Sequence, residues 1–181
     1  MKVLTGRFKG RLIAFKPEPG LRPTADKVRK AIIDTFSAWI EGKRVLDLYS
    51  GTGAFGFELL SAGAASVVFL EKEPVRSKRI QEWLIAAKAA ACRVITGDVT
   101  RLTRKMEDES EMYDLLVLDP PYDDPGVGQV LSRLEKLMSL GAFLVYECRA
   151  RNKPPDLEGL EKIRDKIYGD TRLVIYKRAG E

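Results

Sequence analysis

The sequence contains no histidine and only two cysteines among its 181 residues. Without histidine a Ser-His-Asp triad is excluded, and a conventional zinc site is not expected. Cys92 and Cys148 fall within apolar, strand-like runs, which predicts reduced core thiols rather than a disulfide. No apolar run approaches the roughly 20 residues that span a bilayer, and residues 1–10 carry charges instead of an apolar signal-peptide core. These absences predict a cytoplasmic protein with neither a membrane anchor nor a metal centre.

Positive charge is concentrated at the start of the chain. Residues 1–44 carry eleven Lys or Arg and four acids, a net charge of +7, whereas the remainder carries −2. A basic portion on a nearly neutral body predicts an anionic partner such as nucleic acid, although a solvated basic face has the same composition. Arg7, Lys9 and Arg11 alternate along a stretch predicted to be extended, so their side chains can share one face.

Two units are predicted along the chain. Residues 1–23 form a small basic extension, with a hairpin or loose strands followed by a proline-rich loop. Residues 24–181 form an α/β domain. It opens with a helix that Thr24 can cap, that shows apolar residues at three- and four-residue spacing, and that Gly42 ends.

The rest of the second unit alternates short apolar strands with helices. Such buried runs separated by helices predict a mainly parallel, seven-stranded sheet with helices on both faces. The last two strands flank Gly169-Asp170 and predict an antiparallel hairpin. This arrangement resembles the Rossmann-like class I methyltransferase fold, an association that carries no chemistry by itself. The predicted strands are residues 44–49, 66–71, 92–96, 113–119, 142–147, 160–168 and 172–177.

A glycine-rich loop, GTGAFG, follows the first of these strands and opens a helix. Gly51 and Gly53 let a backbone turn sharply and approach a ligand, although a plain tight turn has the same pattern. Glu71 ends the next strand, where an acid accepts ribose hydrogen bonds or is simply solvated. Asp47 is placed to anchor a cationic amino group or to cap the turn. Asp98 is placed to accept from an adenine amino group or to cap a helix.

The sharpest motif is Asp-Pro-Pro-Tyr at residues 119–122, directly after a buried strand. A base amino nitrogen is a poor nucleophile because its lone pair is delocalised into the ring. The Asp119 carboxylate can accept one N–H and the Pro120 carbonyl the other, which favours a pyramidal nitrogen and stabilises developing charge. Pro121 restricts Pro120 to extended conformations, and the Tyr122 ring offers a stacking face. The alternative is a Pro-Pro turn without chemistry.

Longer segments carry a family resemblance. VLDLYSGTGAFGFELLSAGA, VVFLEK and LLVLDPPY resemble methyltransferase motifs I, II and IV. GRFKGRLI and GLRPTADKVRKAIIDTF are similar to segments of the RsmD-type 16S ribosomal RNA guanine-N2 methyltransferases of bacteria. The resemblance extends from Gly6 to the final hairpin. It implies that residues 24–181 are a methyltransferase domain, with S-adenosylmethionine as methyl donor and a guanine of small-subunit rRNA, free or in an assembly intermediate, as substrate.

The resemblance also implies roles for individual residues. It places Asp47, Gly51 and Gly53 beside the donor, Glu71 on its ribose, and Asp98 on its adenine. The target base falls to the Asp-Pro-Pro-Tyr motif, with Asp119, Pro120 and Tyr122 as its catalytic residues. It assigns Arg22 and Arg29 to RNA, to the reactive cleft or to helix packing. The charge of the N-terminal portion assigns Arg7, Lys9 and Arg11 to RNA.

Three other functions remain compatible with these motifs. A DNA adenine-N6 methyltransferase also suits Asp-Pro-Pro-Tyr, but the chain has no obvious large insertion for target recognition. An NAD-dependent oxidoreductase is compatible with the glycine loop, but not with Asp-Pro-Pro-Tyr or with the terminal hairpin. A non-catalytic RNA-binding module on a methyltransferase fold suits the charge, but not the intact Asp119, Gly51 and Gly53.

Overall fold

One mixed sheet organises the computed structural model, which describes residues 1–14 and 26–180. The strands are β1 (Arg44–Leu48), β2 (Ser66–Glu71), β3 (Arg93–Thr96), β4 (Tyr113–Leu118), β5 (Met138–Arg149), β6 (Leu160–Tyr168) and β7 (Thr171–Arg178). Within the described residues they follow the order β3-β2-β1-β4-β5-β7-β6. The first five are parallel, and β7 pairs antiparallel with both β5 and β6. The predicted parallel sheet with a C-terminal hairpin is therefore confirmed.

Helices cover both faces of this sheet. The five α-helices in the described part of the chain are α1 (Asp26–Phe36), α2 (Ala54–Ser61), α3 (Pro74–Ala86), α4 (Val99–Asp108) and α5 (Val127–Leu134). The first three bury residues such as Ile32, Phe57 and Trp83 in one core. The last two bury Met106 and Leu134 in a second core on the opposite face. The result is a three-layer α/β/α domain in which the strands are buried on both sides.

One predicted helix ends earlier than its apolar spacing indicated, and one predicted strand begins earlier. Helix α1 stops at Phe36 rather than continuing to Gly42, and a turn follows it. Trp39 lies in that turn, yet its ring packs edge-on against Phe143, with 5.0 Å between the ring centroids. Helix α5 gives way to a 3-10 turn at Glu135–Leu137, and β5 then begins at Met138 rather than at the predicted residue 142. In both places an apolar residue just past the helix is buried, Ile40 after α1 and Leu137 after α5, and the apolar spacing therefore continues past the end of the helix.

The N-terminal segment is a compact loop rather than a pair of strands. A 3-10 turn at Gly6–Phe8 lies between the two ends of a single antiparallel bridge, Lys2 to Leu12. The Trp83 indole N–H donates to the Leu12 carbonyl at 3.0 Å. Val3 and Ile13 are buried in the first core, so the segment is part of the folded unit. The predicted boundary between residues 23 and 24, together with the Thr24 cap, lies outside the described residues.

The remaining strand, β6, forms one edge of the sheet. Most of its residues are exposed, and its register with β7 shifts between Lys162 and Arg164, an irregularity of the β-bulge type. Among the described residues, no helix is long and apolar enough to cross a membrane.

Candidate active site

The strand order creates a crevice at the carboxyl edge of the sheet. Strand β1 lies between β2 and β4, so the connections after β1 and β4 leave in opposite directions, the arrangement at which open α/β sheets bind ligands. Leu48 and Leu118 are register partners at the ends of β1 and β4. The glycine loop and Asp119 follow these two residues directly. The structure therefore brings the two strongest motifs of the sequence to the same place.

The glycine loop turns through three left-handed backbone conformations. Tyr49, Gly51 and Gly53 have φ values of 58°, 55° and 77°. Left-handed backbone at a residue other than glycine costs energy, and Tyr49 adopts it directly before the glycine loop, which sequence reasoning missed. A Cβ on Gly53 would lie 2.9 Å from the Phe57 ring. Glycine is therefore required here by packing inside the protein, and the approach of its backbone to a ligand remains a prediction.

Glu71 ties the end of β2 to this loop. One of its carboxylate oxygens accepts the Gly51 N–H at 2.7 Å, and the other accepts the Glu73 N–H at 2.8 Å. The side chain is buried, and burial is the main reason that its pKa is raised, against the opposing effect of these two hydrogen bonds. The predicted ribose acceptor thus lies beside the glycine loop and holds it in place.

Asp47 lies beneath the loop with only 2% of its surface exposed. Its Oδ2 accepts the Gly56 N–H at 3.0 Å, at the start of α2. Its pKa is raised to about 8, mainly by burial; the Gly56 hydrogen bond acts to lower it, and the nearby carboxylates of Asp119 and Glu71 add to the rise. Its hydrogen bond is that of a turn-capping residue, and a ligand cation nearby would favour the charged form.

Asp98 is exposed at the start of α4. Its Oδ1 accepts the Arg101 N–H at 3.2 Å, so the helix-capping alternative is realised in the structure. The adenine contact remains a prediction. Asp98 follows β3, which pairs with β2 so that Glu71 and Thr96 are register partners. The acid therefore stands on the outer side of Glu71, away from Asp119.

The Asp-Pro-Pro-Tyr motif leaves β4 at the crevice. Pro120 is buried, and Tyr122 is half-buried. The Arg149 guanidinium lies over the Tyr122 ring, 4.9 Å from its centroid. The phenol oxygen of Tyr122 is 3.3 Å from the Thr171 hydroxyl. Tyr122 is therefore fixed by contacts from the C-terminal strands, which sequence reasoning did not foresee.

Glu147 is a second acid at this site that sequence reasoning missed. Strands β4 and β5 pair so that Leu118 and Tyr146 are register partners, which makes Asp119 and Glu147 neighbours at the strand ends. Glu147 is 6% exposed, and its Oε2 has no hydrogen-bond partner among the described residues. Burial, followed by the charge of Asp119, raises its pKa to about 8. Only its position at a buried strand end could have indicated it.

We expect a Glu147→Gln variant to become more stable relative to the parent as the pH rises. The folded-state pKa of about 8 lies above the ordinary 4.5, so the folded state holds this proton more tightly than the unfolded chain. The contribution of Glu147 is fully present below pH 4.5 and is lost as the pH rises towards 8, by up to about 1.4 kcal/mol per pH unit. Glutamine has no proton to lose.

Urea denaturation at pH 5 and pH 8 measures this effect. The advantage in unfolding free energy of Glu147→Gln over the parent should grow between the two pH values. Glu158→Gln, at an exposed loop position, is the matched control and should show no such trend. An equal difference at both pH values for Glu147→Gln would mean that this carboxyl is already ionised in the folded protein.

The predicted RNA-binding residues do not all lie at the surface. Arg29 is 1% exposed, and its Nη1 lies 3.5 Å from Glu58 Oε1, so its role is to pack α1 on α2. This corrects the expectation that it contacts RNA, since a buried, ion-paired guanidinium presents no surface to phosphate. Arg22 lies outside the described residues.

Arg7, Lys9 and Arg11, the other described residues assigned to RNA, lie far from the crevice. The Phe8 N–H donates to the Ser61 hydroxyl at 2.9 Å, at the last residue of α2. Because α2 begins at the carboxyl edge and runs back along the sheet, this contact lies near the opposite edge. Arg7 and Arg11 stack on aromatic rings there, with guanidinium-to-centroid distances of 4.7 Å to Phe8 and 5.1 Å to Trp83.

The family is shown by comparison with known proteins. A family model described as "Conserved hypothetical protein 95" matches residues 1–177. The chain belongs to this family. Its members include RsmD-type methyltransferases, as the resemblance predicted.

Individual relatives agree with this assignment. The Ribosomal RNA small subunit methyltransferase D of Escherichia coli (strain K12) is 25% identical over 184 residues, covering 100% of this chain and 91% of the relative. The structure entitled "Putative methyltransferase yhhF from Escherichia coli" superposes with a TM-score of 0.86 at 24% identity, over 100% of this chain and 99% of that one. The structure of SMU.776, "a putative methyltransferase complexed with SAH", superposes with a TM-score of 0.72 at 14% identity, over 87% of this chain and 50% of that one. These two structures support the class I methyltransferase fold of this family member.

Proposed function

We propose that this protein transfers a methyl group from S-adenosylmethionine to the exocyclic N2 amino group of a guanine in small-subunit ribosomal RNA. The observation that carries the proposal is the placement of Asp119 beside the glycine loop at the switch point of the sheet. The relative named as a small-subunit rRNA methyltransferase supports this substrate class. The structural neighbour complexed with SAH supports this donor.

The crevice fits the donor in charge and shape. Gly51 and Gly53 allow close approach of the backbone, and Glu71 stands at the loop with a carboxylate that can accept ribose hydroxyls. Asp47 is the acid nearest the base of the loop and would hold the amino group of the donor. S-adenosylmethionine, when bound, supplies an electrophilic methyl group on a sulfonium. The described residues contain no group of His, Cys, Asp or Glu able to hold a metal ion.

The base would be held by the Asp-Pro-Pro-Tyr motif. The Asp119 carboxylate and the Pro120 carbonyl would accept the two N–H groups of the amino nitrogen, which localises its lone pair towards the methyl group. Arg149 covers one face of the Tyr122 ring, so the base would stack on the other. The two acceptors also stabilise the positive charge that develops on nitrogen. Alignment of the reactants supplies several kcal/mol more.

Methylation of isolated RNA tests the proposal. The purified protein is incubated with methyl-labelled S-adenosylmethionine and small-subunit RNA from cells that lack their own enzyme for this position, either free or in assembly particles. The RNA is then digested to nucleosides. We expect label in N2-methylguanosine. Label in N6-methyladenosine with duplex DNA as substrate would favour the alternative activity, and no transfer to any nucleic acid would overturn the proposal.

A further inference from the structure

A basic groove opens at the carboxyl edge of the sheet, on the face covered by α4 and α5. It encloses about 720 Å³. Its cationic lining consists of Lys72 after β2, Arg101 and Arg104 on α4, and Arg133 on α5, and Asp98 is its one acidic residue. None of these cations belongs to the basic N-terminal portion of the sequence. Charge counting along the chain therefore did not reveal the groove.

Three of the four cations are available to a ligand. Lys72, Arg101 and Arg104 are exposed, and none of them forms an ion pair within the described part of the chain. Arg133 differs, because its Nε lies 3.8 Å from Glu107 and its Nη1 donates to the Thr100 carbonyl at 3.3 Å. The groove therefore keeps a net positive charge that the protein itself does not neutralise.

The position of Arg101 strengthens this point. It lies in the first turn of α4, where the helix macrodipole is positive and a cation destabilises the helix. Arg104 follows three residues later, so both guanidinium groups extend from the same side of α4. An anion in the groove would interact favourably with both side chains and with the helix terminus.

The charge of the groove identifies the class of its occupant. The adenosine part of the methyl donor is uncharged and needs no cluster of cations. A guanine held at Asp119 is part of a chain with a phosphate on either side. The groove lies within reach of that guanine, because Pro125 and Gly126, which line it, come only three and four residues after Tyr122. Arg7 and Arg11, by contrast, lie near the opposite edge of the sheet.

We propose that Lys72, Arg101 and Arg104 bind the phosphates of the RNA strand next to the target nucleotide. This inference rests on the RNA methyltransferase function proposed above and adds the path of the substrate. The groove is the primary phosphate site, and the N-terminal cations are a secondary one at most.

Two variants with equal loss of charge separate these surfaces. One is Lys72→Gln/Arg101→Gln/Arg104→Gln, and the matched control is Arg7→Gln/Lys9→Gln/Arg11→Gln. Binding of the same small-subunit RNA is measured from 50 to 300 mM salt. Each lost phosphate contact flattens the log–log salt dependence by roughly 0.7 for a single strand. The groove variant should therefore lose about 2 from the slope, and the control should lose less.

Further readouts keep the groove distinct from the proposed function. Affinity for S-adenosylhomocysteine, measured by calorimetry, should be unchanged in the groove variant, and circular dichroism should show an intact fold. An unchanged salt slope, or a slope lost only in the N-terminal variant, would overturn the groove proposal. If the groove variant binds S-adenosylhomocysteine more weakly but keeps the salt slope of RNA binding, the groove belongs to the donor, and the groove proposal is overturned as well. RNA binding that depends on the groove without any methyl transfer would uphold the groove and reject the enzymatic function.

Discussion

An Asp119→Ala variant should lose methyl transfer by at least about 100-fold, the scale seen when one preorganised electrostatic group is removed from an active site. The carboxylate is placed to accept an N–H of the base and to stabilise the charge that develops on nitrogen. Affinity for S-adenosylhomocysteine should change little, since Glu71 and the glycine loop lie on the other side of the switch point. Single-turnover methylation and calorimetry on the same samples measure the two effects.

Tyr122 provides the matched comparison for this experiment. Tyr122→Phe keeps the ring and removes only the contact of the hydroxyl with Thr171, so its activity should fall little. Tyr122→Ala should lose about 1–3 kcal/mol of base stacking. Full turnover of Asp119→Ala on guanine would mean that the amino group is held by other residues, and the proposed chemistry would be wrong.

The second large effect is expected at Glu71. Replacing it with alanine removes the acceptor of the Gly51 and Glu73 N–H groups as well as the proposed ribose contact. Leaving the buried ribose hydroxyls of the bound ligand without their acceptor costs about 1–3 kcal/mol, so affinity for S-adenosylhomocysteine should fall roughly 10- to 100-fold. Calorimetry measures the change directly.

A neighbouring acid serves as the control for Glu71. Glu73→Ala keeps the backbone N–H that Glu71 accepts, and its own side chain is exposed and caps nothing. Its affinity for S-adenosylhomocysteine should therefore match that of the parent. If Glu71→Ala folds normally and binds this ligand as tightly as the parent does, Glu71 has no part in donor binding.

The sequence predicted the elements of the central sheet well because their patterns are local. Buried strands of four to six residues between glycines and helices place β1, β2 and β4 within one residue of their observed ends. The predicted end of α1 was wrong because Trp39 is still half-buried and Ile40 fully buried after the helix stops. Apolar spacing reports burial, and a turn that packs against the sheet shows the same spacing as one more turn of helix.

The site residues also divide into those that a local pattern predicted and those that it did not. Asp47, Glu71 and Asp119 follow from motifs that mark the ends of parallel strands, and the structure brings these ends together. Glu147 carries no motif, and Tyr49 lies within the motif I segment without a role that its residue type indicates. One is identified by its register beside Asp119, and the other by its backbone conformation. Arg29 shows the reverse error, because net charge along a segment does not indicate which cations are buried.

The exposed edge strand β6 affects whether this sheet can pair with a strand of another molecule. An unpaired strand edge can recruit a strand from another chain and so start aggregation. Here the edge carries both acids and bases between Glu161 and Lys166, and its pairing register with β7 shifts between Lys162 and Arg164. A strand arriving from solvent would have to desolvate these charges and match an irregular register. The edge is thereby protected from intermolecular pairing, although Ile163 and Ile167 are exposed on it.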